Sequence, residues 1–592
     1  MLTLIVGILF FSCSDENNID KMMPYPEESS AKINRGLVSL VKTEGSNFIS
    51  WRKLVEDDKD QVFYLWRKSG KKIEVIAQTK QTHYIDSSIE NRNQKYGISL
   101  QPSDKPENFV ETVDDMNPLY SSLVYDLQTD YKQAFVVTGD LTGDGELEVL
   151  INYSQMDRVD PYEKAWMKST HPFILTAFTK YGEKLWEFNR GLGIEAGKNY
   201  SPVVVWDLNA DGKCEVILKT NRSNDPMNYE EEYISILDGT NGEIIRENKW
   251  PQPVSDDYNS NSRNYIAIAH LDGINPTIVV GRGLYHTQII YGYDTNLNLT
   301  WERIIGSDIK KRFENKILNK IWSMISNDKS RGSHSLPIAD IDENGTEEIF
   351  WGEHVITENG EDLWKIEEKI PYTGQPDIVF AADMIKNIPG KEIYYLREGW
   401  GEESEDIGIM LVSSEGKTIW SKWGYTHVDG GWAAPVISNK NDWQFFNYDI
   451  KKKIWKPGQH SFNQPNQQLI DSKGEIISYP DSSWIGSFTV DWEGDGIKEI
   501  CKKDGSVTRY NDELLAKFDK GIQWAGDLWG DHREEIIYAP QDRKVYIIFN
   551  SDTSSHEPRI TKLADRQYRN DLSRTAMQYN VVPTESGFKI NK

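Results

Sequence analysis

A tag of turn, polar strand start and tryptophan returns four times along this chain. It reads YGEKLW (Trp186), NLNLTW (Trp301), NGEDLW (Trp364) and EGKTIW (Trp420). The last two intervals are 63 and 56 residues, and the first, 115, is close to twice that. Between the tags lie short β-rich runs such as EVLINY, EVILKT, EIFWGE and EIIYAP, bounded by Gly, Asp and Asn. Such runs read as strands joined by tight turns, and long stretches of helical periodicity are hard to find. A period of this size with several strands per unit points to a β-propeller. About eight units fit the residues that carry the repeat. The fold class expected is all-β: an eight-bladed propeller over residues 106–592. Ahead of it, residues 31–105 alternate apolar positions with frequent turns around a central tryptophan. That pattern predicts a small β-sandwich of fibronectin type III character.

Five loops share an acidic beat at every second residue. They are DLTGDGELE (Asp140, Asp144, Glu148), DLNADGKCE (Asp207, Asn209, Asp211, Glu215), DIDENGTEE (Asp340, Asp342, Asn344, Glu348), DWEGDGIKE (Asp491, Glu493, Asp495, Glu499) and DLWGDHREE (Asp527, Asp531, Glu535). Alternate oxygens on a tightly turned loop can converge on one hard cation, and a later acid closes the shell. The closing acid stands at position nine and a strand follows it, which separates these loops from an EF-hand. Five such loops in one chain predict structural Ca²⁺ sites that hold the propeller units together.

The formal net charge is −25. Nucleic acid is therefore excluded as a partner, since phosphate binding needs a basic face. An acidic polysaccharide is not excluded, because each bound Ca²⁺ returns two positive charges locally. Cys214 and Cys501 each sit at or just after an acidic loop and are too few for a disulfide framework. A structural role is expected for both.

The chain begins MLTLIVGILFFSCSDENN. Its apolar run is too short to span a bilayer. The run resembles a bacterial lipoprotein signal over residues 1–12, with FFSC as the lipobox. Cys13 would then be the lipidated first residue, and residues 13–30 a polar linker. The expectation is an exported monomer at the outer membrane or cell surface that touches the membrane only through its lipid.

His334 precedes the third acidic loop, and calcium's preference for oxygen leaves an imidazole there without a structural role. Residues 32–592 resemble a rhamnogalacturonan lyase of polysaccharide lyase family 11. The segments that carry this include EAGKNYSPVVVWDLNADGKCEVILKT, YIAIAHLDGINPTIVVGRGLYHTQIIYGYD, HSLPIADIDENGTEEIFWG, GDLWGDHREEIIY and DRQYRNDLSRTAMQYN. The resemblance implies an eight-bladed calcium-binding propeller with an N-terminal β domain. It also implies a Ca²⁺ in the catalytic cleft, held by two histidines, an Asp and a Glu. The first histidine falls on His334, Gln375 stands where the family has the second, and Asp377 and Glu398 keep the acids. Two sugar-contacting positions of the family are Ala134 and Ser154 here. The family's lysine loop aligns near FDKGIQW, with Lys520 close to it but out of register. Arg282 and Tyr579 match family positions near the cleft.

Elimination on a 4-linked uronate requires that its carboxylate be neutralised, that a base take the C5 proton and that an acid assist the leaving oxygen. A cleft Ca²⁺ with Arg282 meets the first requirement. Lys198, Lys219, Lys520 and His427 are candidates for the base, and Tyr579 for sugar binding or proton donation. The function expected is a calcium-dependent lyase for a uronate- and rhamnose-containing polysaccharide such as rhamnogalacturonan. The alternatives are a lyase for a relative such as ulvan, or a surface glycan-binding propeller without catalysis.

Overall fold

The computed structural model describes residues 33–43, 45–88, 94–114, 120–156, 169–253, 258–284, 287–306, 332–366, 375–398, 407–423, 428–438, 440, 442–449, 466–577 and 583–586. The signal segment, Cys13, His427 and Tyr579 lie outside them.

The chain is all-β. Near the N-terminus, strands Val38–Thr43, Ser46–Ser50 and His83–Asp86 form one sheet. Strands Lys72–Thr79, Phe63–Ser69, Lys95–Ser99 and Val110–Glu111 form a second. The two share a core of Ile49, Trp51, Phe63, Leu65 and Tyr96. The second sheet runs past residue 105, because Val110 pairs with Tyr96.

Eight four-stranded antiparallel sheets follow in chain order. The first strands of sheets one to eight are Gln133–Gly139, Val203–Trp206, Asn264–Ala269, Ile338–Ala339, Gln375–Ala382, Val428–Ala434, Phe488–Val490 and Ile522–Gly526. Each is followed by its neighbours in sequence, except that Ser121–Asp126 supplies the outer strand of the eighth sheet. First strands are buried on both faces, as in Gln133–Gly139. Fourth strands such as Lys184–Asn189 are mostly exposed. A continuous apolar run suits the former and alternation the latter. Apolar clusters join successive sheets. Val137 and Leu150 of the first meet Val203 and Val216 of the second, and the series ends where Ile537 and Ile547 of the eighth meet Val136 and Ile151 of the first.

The tryptophan tag marks these junctions. Each tagged tryptophan lies on a fourth strand and covers the turn between the third and fourth strands of the next sheet. Trp186 Nε1 donates to Gly239 O at 2.7 Å, Trp364 to Ser414 O at 2.8 Å and Trp420 to Ser472 O at 3.1 Å. The turn must carry glycine there. Gly242 has φ +74°, and a Cβ on it would stand 2.7 Å from the Trp186 ring. The long first interval also has its explanation. Trp186 pairs with Ala177 and Trp301 with Gly292, but the equivalent partner of Ile236 in the second sheet is Arg246. The second sheet lacks the tag, so the first interval appears doubled.

Residues 561–577 run among the first strands. The helix Arg566–Leu572 is capped by Asp565, whose side chain accepts from Gln567 N. From this segment Thr575 Oγ1 donates to Val136 O at 2.6 Å, Gln567 Nε2 to Ala381 O at 2.6 Å, Asn570 Nδ2 to Ile268 O and Arg574 Nη1 to Leu336 O. Val205 N donates to Ser573 O, Asp527 N to the Tyr568 hydroxyl at 2.8 Å, and Lys562 Nζ to Asp491 Oδ2 at 3.2 Å. Seven of the eight sheets are thereby bonded to one buried segment.

Removing residues 561–592 is therefore expected to abolish cooperative unfolding. Asn570→Ala, which leaves the Ile268 carbonyl buried without its donor, should cost about 1–3 kcal/mol by urea denaturation.

Candidate active site

The acidic loops and the candidate site residues occupy opposite ends of the sheets. All five acidic loops are hairpins between a first and a second strand, since Glu148 pairs with Gly139, Glu215 with Trp206, Glu348 with Ala339, Glu499 with Val490 and Glu535 with Gly526. The other end of each sheet holds the start of the first strand and the finish of the second. There Asn264 pairs with Arg282 and Gln375 with Glu398. A seven-residue strand keeps the two ends about 20 Å apart.

The closing acid of each loop has a structural task of its own. Its Oε2 accepts the backbone N–H seven residues earlier: Leu141 for Glu148 at 2.7 Å, Leu208 for Glu215 at 2.9 Å, Ile341 for Glu348 at 3.1 Å, Trp492 for Glu499 and Leu528 for Glu535, both at 2.8 Å. Two more sheets repeat the bond without an acidic beat, through Glu392 to Ile385 N and Gln444 to Ile437 N. Gln444 shows that the bond needs an oxygen and not a charge. Burial, with the neighbouring carboxylates, pushes Glu148 and Glu348 up to about 8 and Glu215 to about 6.

The leading aspartates divide the loops into two kinds. Asp140, Asp207 and Asp340 accept only backbone N–H groups of their own turns, such as Gly145 N to Asp140 and Gly212 N to Asp207. In the third loop Asp340, Asp342 and Glu348 offer oxygens within 4.8 Å of one another. Asp144, Asn209, Asp211 and Asn344 turn an oxygen to a backbone N–H two residues on. The last two loops are neutralised by the protein. Asp491 meets Arg559 and Lys562, Asp531 is gripped by Arg533 at 2.7 Å, and Asp527 accepts from Thr561 and from Lys562 N. Glu493 pairs with the Arg509 side chain at 2.6 Å, and Asp495 accepts from Ile497 N. Five similar loops in sequence are thus two kinds of site in space.

At the far end, His334 comes just before the first strand of the fourth sheet, and its N–H donates to Pro376 O at 3.1 Å. This ties it to the start of the fifth sheet, where Gln375 and Asp377 lie. His334, Asp377 and Glu398 form the second group of ligand atoms within 4.8 Å among the described residues. His334 Nε2 is 3.7 Å from Asp377 Oδ1, and the Gln375 amide donates to Glu398. An imidazole, two carboxylates and an amide make a donor set that fits a divalent cation.

A pocket opens at the same end of the second and third sheets. Lys219 and Arg282 line it, each on one oxygen of the buried Glu232. Arg282 also donates to Pro251 O at 2.8 Å and lies over the Tyr229 ring, while Lys219 Nζ stands over Trp250. Burial draws the Lys219 ammonium down to about 8, with the Arg282 and Arg190 charges adding to the effect and Glu232 opposing it. The other lysine candidates are elsewhere. Lys198 covers the Phe135 ring, and Lys520 is exposed just before the eighth sheet. Glu232, Tyr229 and Tyr258 were not legible as site residues, because nothing in PMNYEEEYISIL marks which acid turns inward. A charged residue at the head of an apolar strand was the available signal.

The chain matches the model described as rhamnogalacturonan lyase family 11, C-terminal domain, over residues 125–230 and 222–592. The rhamnogalacturonan I lyase β-sheet domain matches residues 28–114. It is 25% identical to the rhamnogalacturonan endolyase YesW of Bacillus subtilis, covering 95% of this chain and 92% of that one. The exolyase YesX of the same organism is also 25% identical, with 94% of each chain covered. Among solved structures, rhamnogalacturonan lyase YesW superposes with a TM-score of 0.71 at 22% identity, covering 94% of this chain and 96% of that one. The Bacillus licheniformis family 11 lyase gives 0.72 at 22% identity, with 94% and 96% covered. The chain's family match and relatives make it a polysaccharide lyase. The chain belongs to rhamnogalacturonan lyase family 11.

The two kinds of acidic loop make different demands. Lys562→Met strips a buried cation from Asp491 and Glu534 and should cost about 3–5 kcal/mol. If that loop instead depended on a metal, chelation would cost as much in the melting curve and the substitution little.

Proposed function

We propose that the protein cleaves a rhamnogalacturonan-like polysaccharide by β-elimination at the site end of the sheets. The observation that carries this reading is the placement of two chemically suited groups at one end, away from every acidic hairpin. They are the His334, Gln375, Asp377 and Glu398 cluster and the Lys219 and Arg282 pocket. The family relatives act on rhamnogalacturonan by name, and a uronate is the acidic sugar such a backbone offers.

Lys219 is the base in this reading. A lysine drawn down to about 8 is partly neutral at mild alkaline pH, near the optimum for proton transfer. Lys219 takes the C5 proton, the C–H electrons form the C4=C5 double bond, and the C4–O bond breaks. The leaving oxygen collects a proton from water, and Arg282 lends positive charge to the developing enolate. His334, Gln375, Asp377 and Glu398 would hold a divalent cation, calcium by its preference for oxygen. When bound, such a cation neutralises a uronate carboxylate and acidifies its C5 proton. Further calcium ions are proposed at the loops of Asp140, Asp207 and Asp340, whose leading carboxylates accept backbone N–H groups of their own turns.

The eight sheets are read as the blades of a β-propeller spanning residues 106–592. Supporting this are the apolar clusters that run from sheet to sheet and back to the first, and the one C-terminal segment bonded to seven of them. The N-terminal pair of sheets, residues 31–105 and the strand beyond, is read as a fibronectin type III-like sandwich.

Turnover is measured as the ultraviolet absorbance of unsaturated uronate from rhamnogalacturonan I. Asp377→Ala and Glu398→Ala should each lower the rate on the order of 100-fold with little change in melting temperature. Excess chelator should do the same, and Ca²⁺ should restore it. Because the base must be unprotonated, kcat/KM should rise with pH through about 8 and level off above it, and Lys219→Ala should remove the activity that gives this limb. Parental rates in the two acid variants would reduce the cluster to a structural feature.

The N-terminal segment is read as a lipoprotein signal with Cys13 as the anchored residue. Cys13→Ala should move the protein from the membrane to the soluble fraction of the expressing cell; unchanged fractionation would refute the anchor.

A further inference from the structure

Glu232 is the residue on which the pocket's two cations converge. It heads the third strand of the second sheet, Glu232–Leu237, and is 2% exposed. Its two oxygens are divided between partners from different elements: Oε1 takes Lys219 Nζ from the second strand of the same sheet, and Oε2 takes Arg282 Nη1 from the second strand of the third sheet. No other acid of the described residues pairs with either cation. Further groups surround the two cations. Arg190 donates to the Lys219 carbonyl, Trp250 lies beneath the ammonium, and Glu195, Tyr229 and the stacked pair of Tyr200 and Tyr258 complete the lining.

We propose that Glu232 is a positioning residue for the elimination: it fixes Lys219 and Arg282 against each other across the junction of two sheets. A lysine and an arginine at this separation repel one another, and in a buried site that repulsion is large. One carboxylate with an oxygen for each converts it into a fixed bridge. The same carboxylate sets how readily Lys219 gives up its proton, because an opposite charge in contact favours the charged ammonium while Arg282 and Arg190 oppose it. Glu232 touches no reacting atom in this account. It acts through the two residues that do. The inference rests on the reading of Lys219 as the base.

The test is the pH dependence of kcat/KM on rhamnogalacturonan I for the full-length protein and three variants, with melting temperatures alongside. Glu232→Gln keeps the shape and removes the charge. It should move the Lys219 limb about one pH unit or more toward acid and lower the plateau rate tenfold or more. Glu232→Asp keeps the charge on a shorter arm, so its limb should stay within a few tenths of a pH unit of the parent while its plateau falls. Lys219→Ala reports on the base itself. If Lys219→Ala keeps the parental profile, the reading of the base fails and the inference falls with it. If Lys219→Ala is inactive but Glu232→Gln keeps the parental limb and rate, only the inference fails. A Glu232→Gln protein that melts lower and loses rate with its limb unmoved makes Glu232 a packing salt bridge, which also overturns the proposal.

Discussion

The first strands of the sheets depend on one segment that satisfies part of their polar backbone. Those strands are buried on both faces, and a buried carbonyl or N–H without a partner costs as much as a lost hydrogen bond. The segment 561–577 meets that need with side chains that are usually found outside. Arg574, Asn570, Gln567 and Thr575 are all buried; the last three donate to first-strand carbonyls, and Arg574 donates to Leu336 O just ahead of one. The apolar residues of the sheets drive association, but this polar segment decides how their inner edges are completed. In the eighth sheet Ser121–Asp126 pairs with Lys544–Phe549, just upstream of the segment.

The hairpins between first and second strands depend on a second repeated bond. A side-chain oxygen at the start of the second strand accepts an N–H seven residues back in seven of the eight sheets, in six cases from glutamate and in one from glutamine. Once the turn is held this way, its leading aspartate is free to take different counter-charges. In the seventh sheet Arg559 and Lys562 supply them to Asp491, and in the eighth Arg533 pairs with Asp531 while Asp527 accepts from Thr561 and Lys562 N. The same loops join the C-terminal segment and the N-terminal sheets, because Lys562 pairs with Asp491 and the His83 ring stands 3.3 Å from Asp531. A charge pair formed inside the protein thus does the work of both neutralising the loop and fixing a neighbour.

The site end inherits its geometry from the same strands. His334 and Asp377 stand at the starts of adjacent first strands, so neighbouring sheets bring them within reach although 43 residues part them in the sequence. Lys219 and Arg282 stand at the finishes of second strands in adjacent sheets and meet on Glu232. His334 with Asp377 and Arg282 with Glu232 cross a sheet junction, whereas Lys219 with Glu232 and Gln375 with Glu398 lie within one sheet. Ala134, Ser154 and Gln375 all fall at this end of their strands, away from the hairpin loops.

The sequence by itself determined the all-β class, the repeat and the hairpin loops, because each is local. A turn with glycine, a tryptophan at a set distance and an acid at position nine are written within a few residues of one another. The doubled interval at Arg246 misled nothing, since the neighbouring units carried the period. The chain's own letters also marked His334 as out of place beside an oxygen-rich loop. What only the tertiary structure decided is which charges meet. Asp340 and Asp491 open near-identical motifs, yet one faces its own turn and the other Lys562, 71 residues away. Glu232 is one of three consecutive glutamates, and only the packing of the third sheet against the second selects it for Arg282. Coulomb interactions depend on distance and burial, and neither is a property of any short stretch of sequence.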